Sequence, residues 1–120
     1  MQQSWVTKLS EALRLQPFSQ DWGICNSDPL RIEEFLSFYE SNAPDSPWES
    51  EALADLLLQS LNEALEAGIL SQPQRALALL FLRNHSHEFP HQLSYWATLT
   101  PSEADPWPIL ALIQEAGVAA

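Results

Sequence analysis

Residues 87 to 91 read "HEFPH", the letters of H-E-x-x-H. In that motif two histidines one helical turn apart hold zinc, and the glutamate activates a water for peptide hydrolysis. The chemistry needs an unbroken helix from His87 to His91. Pro90 stands inside the motif, where its missing N–H and its ring break a helix interior. A helix beginning near Glu88 tolerates Pro90 in its first turn, but His87 then falls outside it and the two imidazoles do not share a face. No third ligand stands at a recognisable spacing. His85, His87, His91 and Glu88 are close in sequence, and a polar connection at a helix end is preferred over an adventitious metal site. A metal-dependent hydrolase on His87, Glu88 and His91 is therefore the weakest functional reading.

Other catalytic constellations are not assembled. Cys25 is the lone cysteine, so neither an internal disulfide nor a C-x-x-C pair is available, and a small buried packing role is expected. There is no G-x-S-x-G elbow. The three glycines, Gly23, Gly68 and Gly117, do not make a phosphate-cradling loop. Glu33 and Glu34 are consecutive and point about 100 degrees apart on a helix, which does not make an acid–base pair. The expectation is a protein that is not an enzyme, with no cofactor and no metal site.

Charge carries more information. Sixteen acids stand against five bases, for a net charge of −11 and a pI near 4.3. Residues 21–66 hold eleven of those acids and only Arg31, a net −10, while the remainder is close to neutral. Direct binding to nucleic acid or to an anionic membrane is disfavoured. An acidic face is ordinarily just a solvated surface. Crowding the charge into one segment costs stability through self-repulsion, however, whereas solubility would be served by charges spread and mixed with lysine. A basic partner explains the arrangement. The candidate partner-binding residues are Glu33, Glu34, Glu40, Asp45, Trp48, Glu49, Glu51, Asp55, Glu63 and Glu66, with Trp48 as an aromatic anchor inside an acidic rim. The competing role for Trp48 is a hydrophobic contact at a helix start.

The elements that must carry these residues are helical. Trp5, Leu9, Ala12 and Leu13 recur at helical spacing and predict a helix over about 4–15. "FSQDWGICNSDP" reads as a structured loop, with "WGIC" briefly extended. Asp28 and Pro29 predict a helix start, with Ile32, Phe35, Leu36 and Tyr39 on its inner face. Ser46, Pro47 and Glu49 predict a capped start, and Gly68 a stop, for the longest helix. On that helix Leu53, Leu56, Leu57, Leu61, Ala64 and Leu65 face inward, while Glu51, Asp55, Asn62 and Glu66 project outward with Gln59 and Glu63 nearby. Ser71 and Gln74 form a second capping pattern, and the apolar residues from Ala76 to Leu82 lie on every side of their helix. A short helix after Pro90 carries Leu93, Tyr95 and Trp96, "TPSEADPWP" is a connection, and a last helix covers about 108–116.

The predicted fold is all-α: residues 1–120 as a single compact domain of about five to six helices packed around a central apolar helix at about 72–84. No apolar run reaches membrane-spanning length, and "MQQSWVTKLSEALRL" has the pattern of an amphipathic helix rather than a signal peptide, so a cytoplasmic protein is expected.

The stretches "NSDPLRIEEFLSFYE", "SEALADLLLQSLNEALEAG" and "YWATL" together resemble the small acidic immunity proteins of bacterial polymorphic and contact-dependent toxin systems. The resemblance spans about residues 20–100 and lies in general pattern rather than in an invariant site. It implies a bacterial protein that binds a cognate toxin, often a basic nuclease, and blocks its active site or a nearby surface. No family binding residue transfers by motif. Rival binding readings are an acidic secretion chaperone or adaptor, which would seat an effector segment in an apolar groove, and a phage-encoded nucleic-acid mimic.

Overall fold

The computed structural model of the protein describes residues 5–17, 20–42, 46–98 and 106–118. Among them the regular structure is entirely helical. The α-helices are α1 (Trp5–Leu13), α2 (Trp22–Cys25), α3 (Ile32–Ser41), α4 (Pro47–Ala67), α5 (Gln72–His85), α6 (Pro90–Thr98) and α7 (Pro108–Ala116), with a 3-10 turn at Ser86–Glu88 between α5 and α6. Seven α-helices replace the expected five to six because "WGIC" closes one helical turn instead of extending. The radius of gyration is 13.8 Å, close to the roughly 14 Å of a compact chain of this length.

The local signals explain most boundaries. Ser46 caps α4 by accepting from the Glu49 amide, with Pro47 at the first helical position, and Gly68 ends the helix at φ 69, where a side chain would be strained. Ser71 and Gln74 form the full reciprocal capping box of α5. α3 starts later than Asp28 and Pro29 predict. The Asp28 carboxylate accepts from Leu30 N in a turn, and the helix follows at Ile32. Ser4, where the first helix was expected to begin, lies outside the described residues, as does most of the "TPSEADPWP" connection.

The central element is α4, which corrects the expectation for residues 72–84. Leu53, Ala54, Leu56, Leu57, Leu58, Leu61 and Ala64 are each at most 1% exposed, and Ala52, Ser60 and Asn62 are buried beside them. α2, α3, α6 and α7 all pack against α4, so most of its circumference is covered. α5 buries only Ala78, Phe81 and Leu82, while Leu77 and Leu80 face outward. Apolar residues all round a helix do not say which sides receive a partner. Asn62 likewise turns inward rather than outward: its Oδ1 accepts from Ile109 N at 3.1 Å and supplies the cap that Trp107 does not give α7.

α2 is held as a lid over α4. The buried Trp22 donates its indole N–H to Ser10 Oγ at 2.8 Å and meets Trp5 edge to face. Asn26 accepts from Gln16 N and donates to the carbonyls of Gln16 and Trp22, closing the loop behind the turn. Arg31 donates to the Leu13 carbonyl and fastens α3 to the end of α1.

Candidate functional site

Five carboxylates share the face formed by α2 and one side of α4: Asp21, Glu51, Asp55, Glu63 and Glu66. Among the described residues none of them is in an ion pair with Lys, Arg or His. Burial, followed by the neighbouring charges of Glu51 and Asp21, pushes Asp55 up to about 6. Glu63 accepts from Ser27 Oγ at 3.0 Å and from Gln59 Nε2 at 3.3 Å, and Glu66 accepts from Asn62 Nδ2 at 2.6 Å. The face is thus organised by neutral donors and left uncompensated in charge.

The remaining sequence candidates divide. Glu34 takes both Nε and Nη2 of Arg31, whose hydrogen bond holds its carboxyl below the usual range. Glu49 is buried and accepts from Lys8 Nζ at 2.9 Å, so it serves the α1–α4 contact rather than the open surface. Glu40 meets His85 Nε2 at 2.8 Å. Glu33 is exposed on α3. Trp48 is 69% exposed, which removes the helix-start contact as its role. Asp45 lies outside the described residues. Cys25 is exposed rather than buried, because the turn of α2 directs Trp22 and Gly23 inward instead.

The "HEFPH" segment spans a helix break. His87 sits in the 3-10 turn, Phe89 is fully buried between elements, and Pro90 starts α6 with His91 exposed beside it. Glu88 is occupied: Tyr39 Oη donates to it, and His85 Nδ1 lies 3.2 Å from its carboxylate. Burial opposes ionisation of Glu88, but the bonds from Tyr39 and His85 and the proximity of His87 outweigh that and hold its carboxyl low. Burial and the Glu88 carboxylate raise Tyr39 well above the usual phenol range. The Tyr39 ring is edge-on to Phe81 and Phe89, which stack on each other at 5.4 Å. The motif residues thus form a clasp that joins α3 to the end of α5.

Two of the concave features on the surface carry acidic residues beside exposed apolar ones. One, of about 350 Å³, lies between α3 and α5 and is lined by Leu36, Leu77, Leu80 and Phe81 with Glu33 and Glu40 on its rim. The other, of about 390 Å³, sits at the end of the acidic face, where Glu63 and Glu66 meet Ile24, Tyr95, Trp96 and Trp107. Ile24, Tyr95 and Trp107 did not stand out as site residues in the sequence. The signal available was the adjacent pair Tyr95 and Trp96, which a single helix cannot bury on one face.

No helix among the described residues is long and apolar enough to cross a membrane. Compared with protein-family models, curated proteins and solved structures, the chain matches none of them.

Proposed function

We propose that this protein is a cytoplasmic immunity protein that binds a basic bacterial toxin domain, of which a nuclease is the leading case, through the acidic α2–α4 face. The observation that carries the reading is that, among the described residues, Asp21, Glu51, Asp55, Glu63 and Glu66 are in no ion pair with Lys, Arg or His. Such a face is self-repelling in the free protein, and a partner bearing Lys and Arg relieves the repulsion as it docks. A nuclease collects those residues to hold phosphates, and carboxylates occupy the same surface with electrostatically steered association. The reading requires no catalysis by this chain.

The test starts with capture of the tagged protein's partner from its host at low and moderate salt, followed by association kinetics. Replacing Glu51, Glu63 and Glu66 by Lys is expected to slow association about tenfold or more at low salt and to abolish protection from the toxin. Unchanged association and protection would remove this face from the mechanism.

A second reading is favoured by the α3–α5 groove, where Leu77 and Leu80 are 46% and 53% exposed. There the protein would act as an adaptor seating an apolar effector segment. That contact would be nearly insensitive to salt and would be lost on Leu80→Asp, while the Lys variants would leave it intact.

A further inference from the structure

From the pocket bounded by α2, α4, α6 and the start of α7, we infer a specific receptor for one cationic side chain, arginine or lysine, presented by the partner. This rests on the acidic-face reading above and assigns its anchor point.

The walls are aromatic and the rim is anionic. Trp96 meets Tyr95 at 6.0 Å with an interplanar angle of 83° and Trp107 at 5.7 Å with 87°. Trp96 is buried and forms the floor, its edge-to-face contacts fix Tyr95 and Trp107 on either side, and Tyr95 is the most exposed of the three rings. A ring face attracts a cation through its quadrupole, more strongly as the site sheds water. Tyr95 is 48% exposed and Ile24 40%, which is large apolar area left without a partner among the described residues. Glu63 and Glu66 supply the charge, and no Lys or Arg among the described residues lines the pocket. Both carboxylates are anchored by Ser27, Gln59 and Asn62, so they are positioned before any guest arrives. The pocket volume of about 390 Å³ falls within the roughly 300–1,000 Å³ of small-ligand sites. Charge complementarity selects the occupant: an aliphatic side chain would fill the aromatic walls but leave both carboxylates without a counter-charge, and an acidic one would be repelled.

The experiment is a titration of the full chain, followed by nuclear magnetic resonance at the tryptophan indole N–H signals, with Nα-acetyl-arginine amide and with its neutral isostere Nα-acetyl-citrulline amide. Saturable movement of the Trp96 and Trp107 signals with the arginine amide is expected. Trp48, exposed and outside the pocket, is expected to stay still, and the citrulline amide to give no saturation. Glu63→Gln with Glu66→Gln is expected to weaken binding about tenfold, as is Tyr95→Ser. Absence of saturation, or equal response to citrulline, would overturn the assignment. A companion measurement separates this pocket from the broader reading. A basic partner captured by the wild type and held equally by the Gln and Ser variants would sink the pocket and leave the acidic face. Saturable arginine binding with no basic partner recovered from the host would keep the pocket and sink the toxin reading.

Discussion

A methyl group placed on Gly23 would stand 2.6 Å from the backbone nitrogen of Leu56 and 2.7 Å from Asp55 Cβ. The α2 lid therefore rests on α4 at a point where only glycine fits, and its atoms meet backbone rather than a yielding side-chain tip. Gly23→Ala is expected to destabilise the protein by about 1–3 kcal/mol through overpacking. Because the strain falls on the lid, amide exchange in α2 should rise more than in α5. Denaturant unfolding with unchanged stability would show that the two helices separate more easily than this packing implies.

Asp55 sets a pH dependence with a definite sign. Its folded-state value of about 6 lies above the ordinary 3.8. Between those values the folded state holds a proton that the unfolded chain has released, so stability rises as pH falls from above 6 toward 4. The gain is on the order of 2 kcal/mol. Asp55→Asn is expected to raise stability at pH 7 by a similar amount and to flatten the profile in that window. Thermal unfolding of the two proteins at pH 7 and pH 4.5 checks this.

The Tyr39–Glu88 clasp works in the opposite direction and at lower pH. Glu88 is held below its ordinary value, so its contribution is present above the unfolded carboxylate range and is lost as pH falls through the depressed folded one. Tyr39→Phe leaves the aromatic packing against Phe81 and Phe89 intact and removes the hydroxyl that donates to Glu88 and meets Ser50. A loss of about 1–3 kcal/mol is expected at pH 7, and less in strong acid where Glu88 is already protonated. Equal losses at both pH values would dissociate Glu88 from the effect.

Asn62 joins two structures through one amide, since Oδ1 receives the Ile109 amide and Nδ2 reaches Glu66. Asn62→Ala is expected to cost about 1–3 kcal/mol by leaving a buried N–H of α7 without its acceptor. Aspartate at the same position keeps an acceptor for Ile109 but places a second carboxylate beside Glu66, so it is expected to restore only part of the loss. Equilibrium unfolding of the pair separates capping from packing.

How much of this was legible in sequence depends on whether the signal was local. Caps are local: Ser46 with Pro47, Ser71 with Gln74, Pro108 at the start of α7 and the stop at Gly68 all stand within a turn of what they control. The break inside "HEFPH" followed from one proline. Burial is not local. Asn62 sits on a stripe that reads as polar and outward, yet its position was decided by α7, more than forty residues further along the chain. Leu77 and Leu80 carry core residue types and remain exposed because no described element is placed over them. The acidic face was visible as composition, but its thinning was not: Glu34, Glu40 and Glu49 are each drawn into contacts with Arg31, His85 and Lys8. Conversely Asp21 and Tyr95 gain significance only once α2 and α6 are brought beside α4.

The exposure of Cys25 has a practical use. It is the sole thiol of the chain, it faces solvent, and it follows directly on Ile24 at the pocket edge. A maleimide-linked dye can therefore be attached at a single site without altering the sequence, beside the surface where docking is to be followed. The native chain already carries the attachment point for a fluorescence reporter of its own recognition.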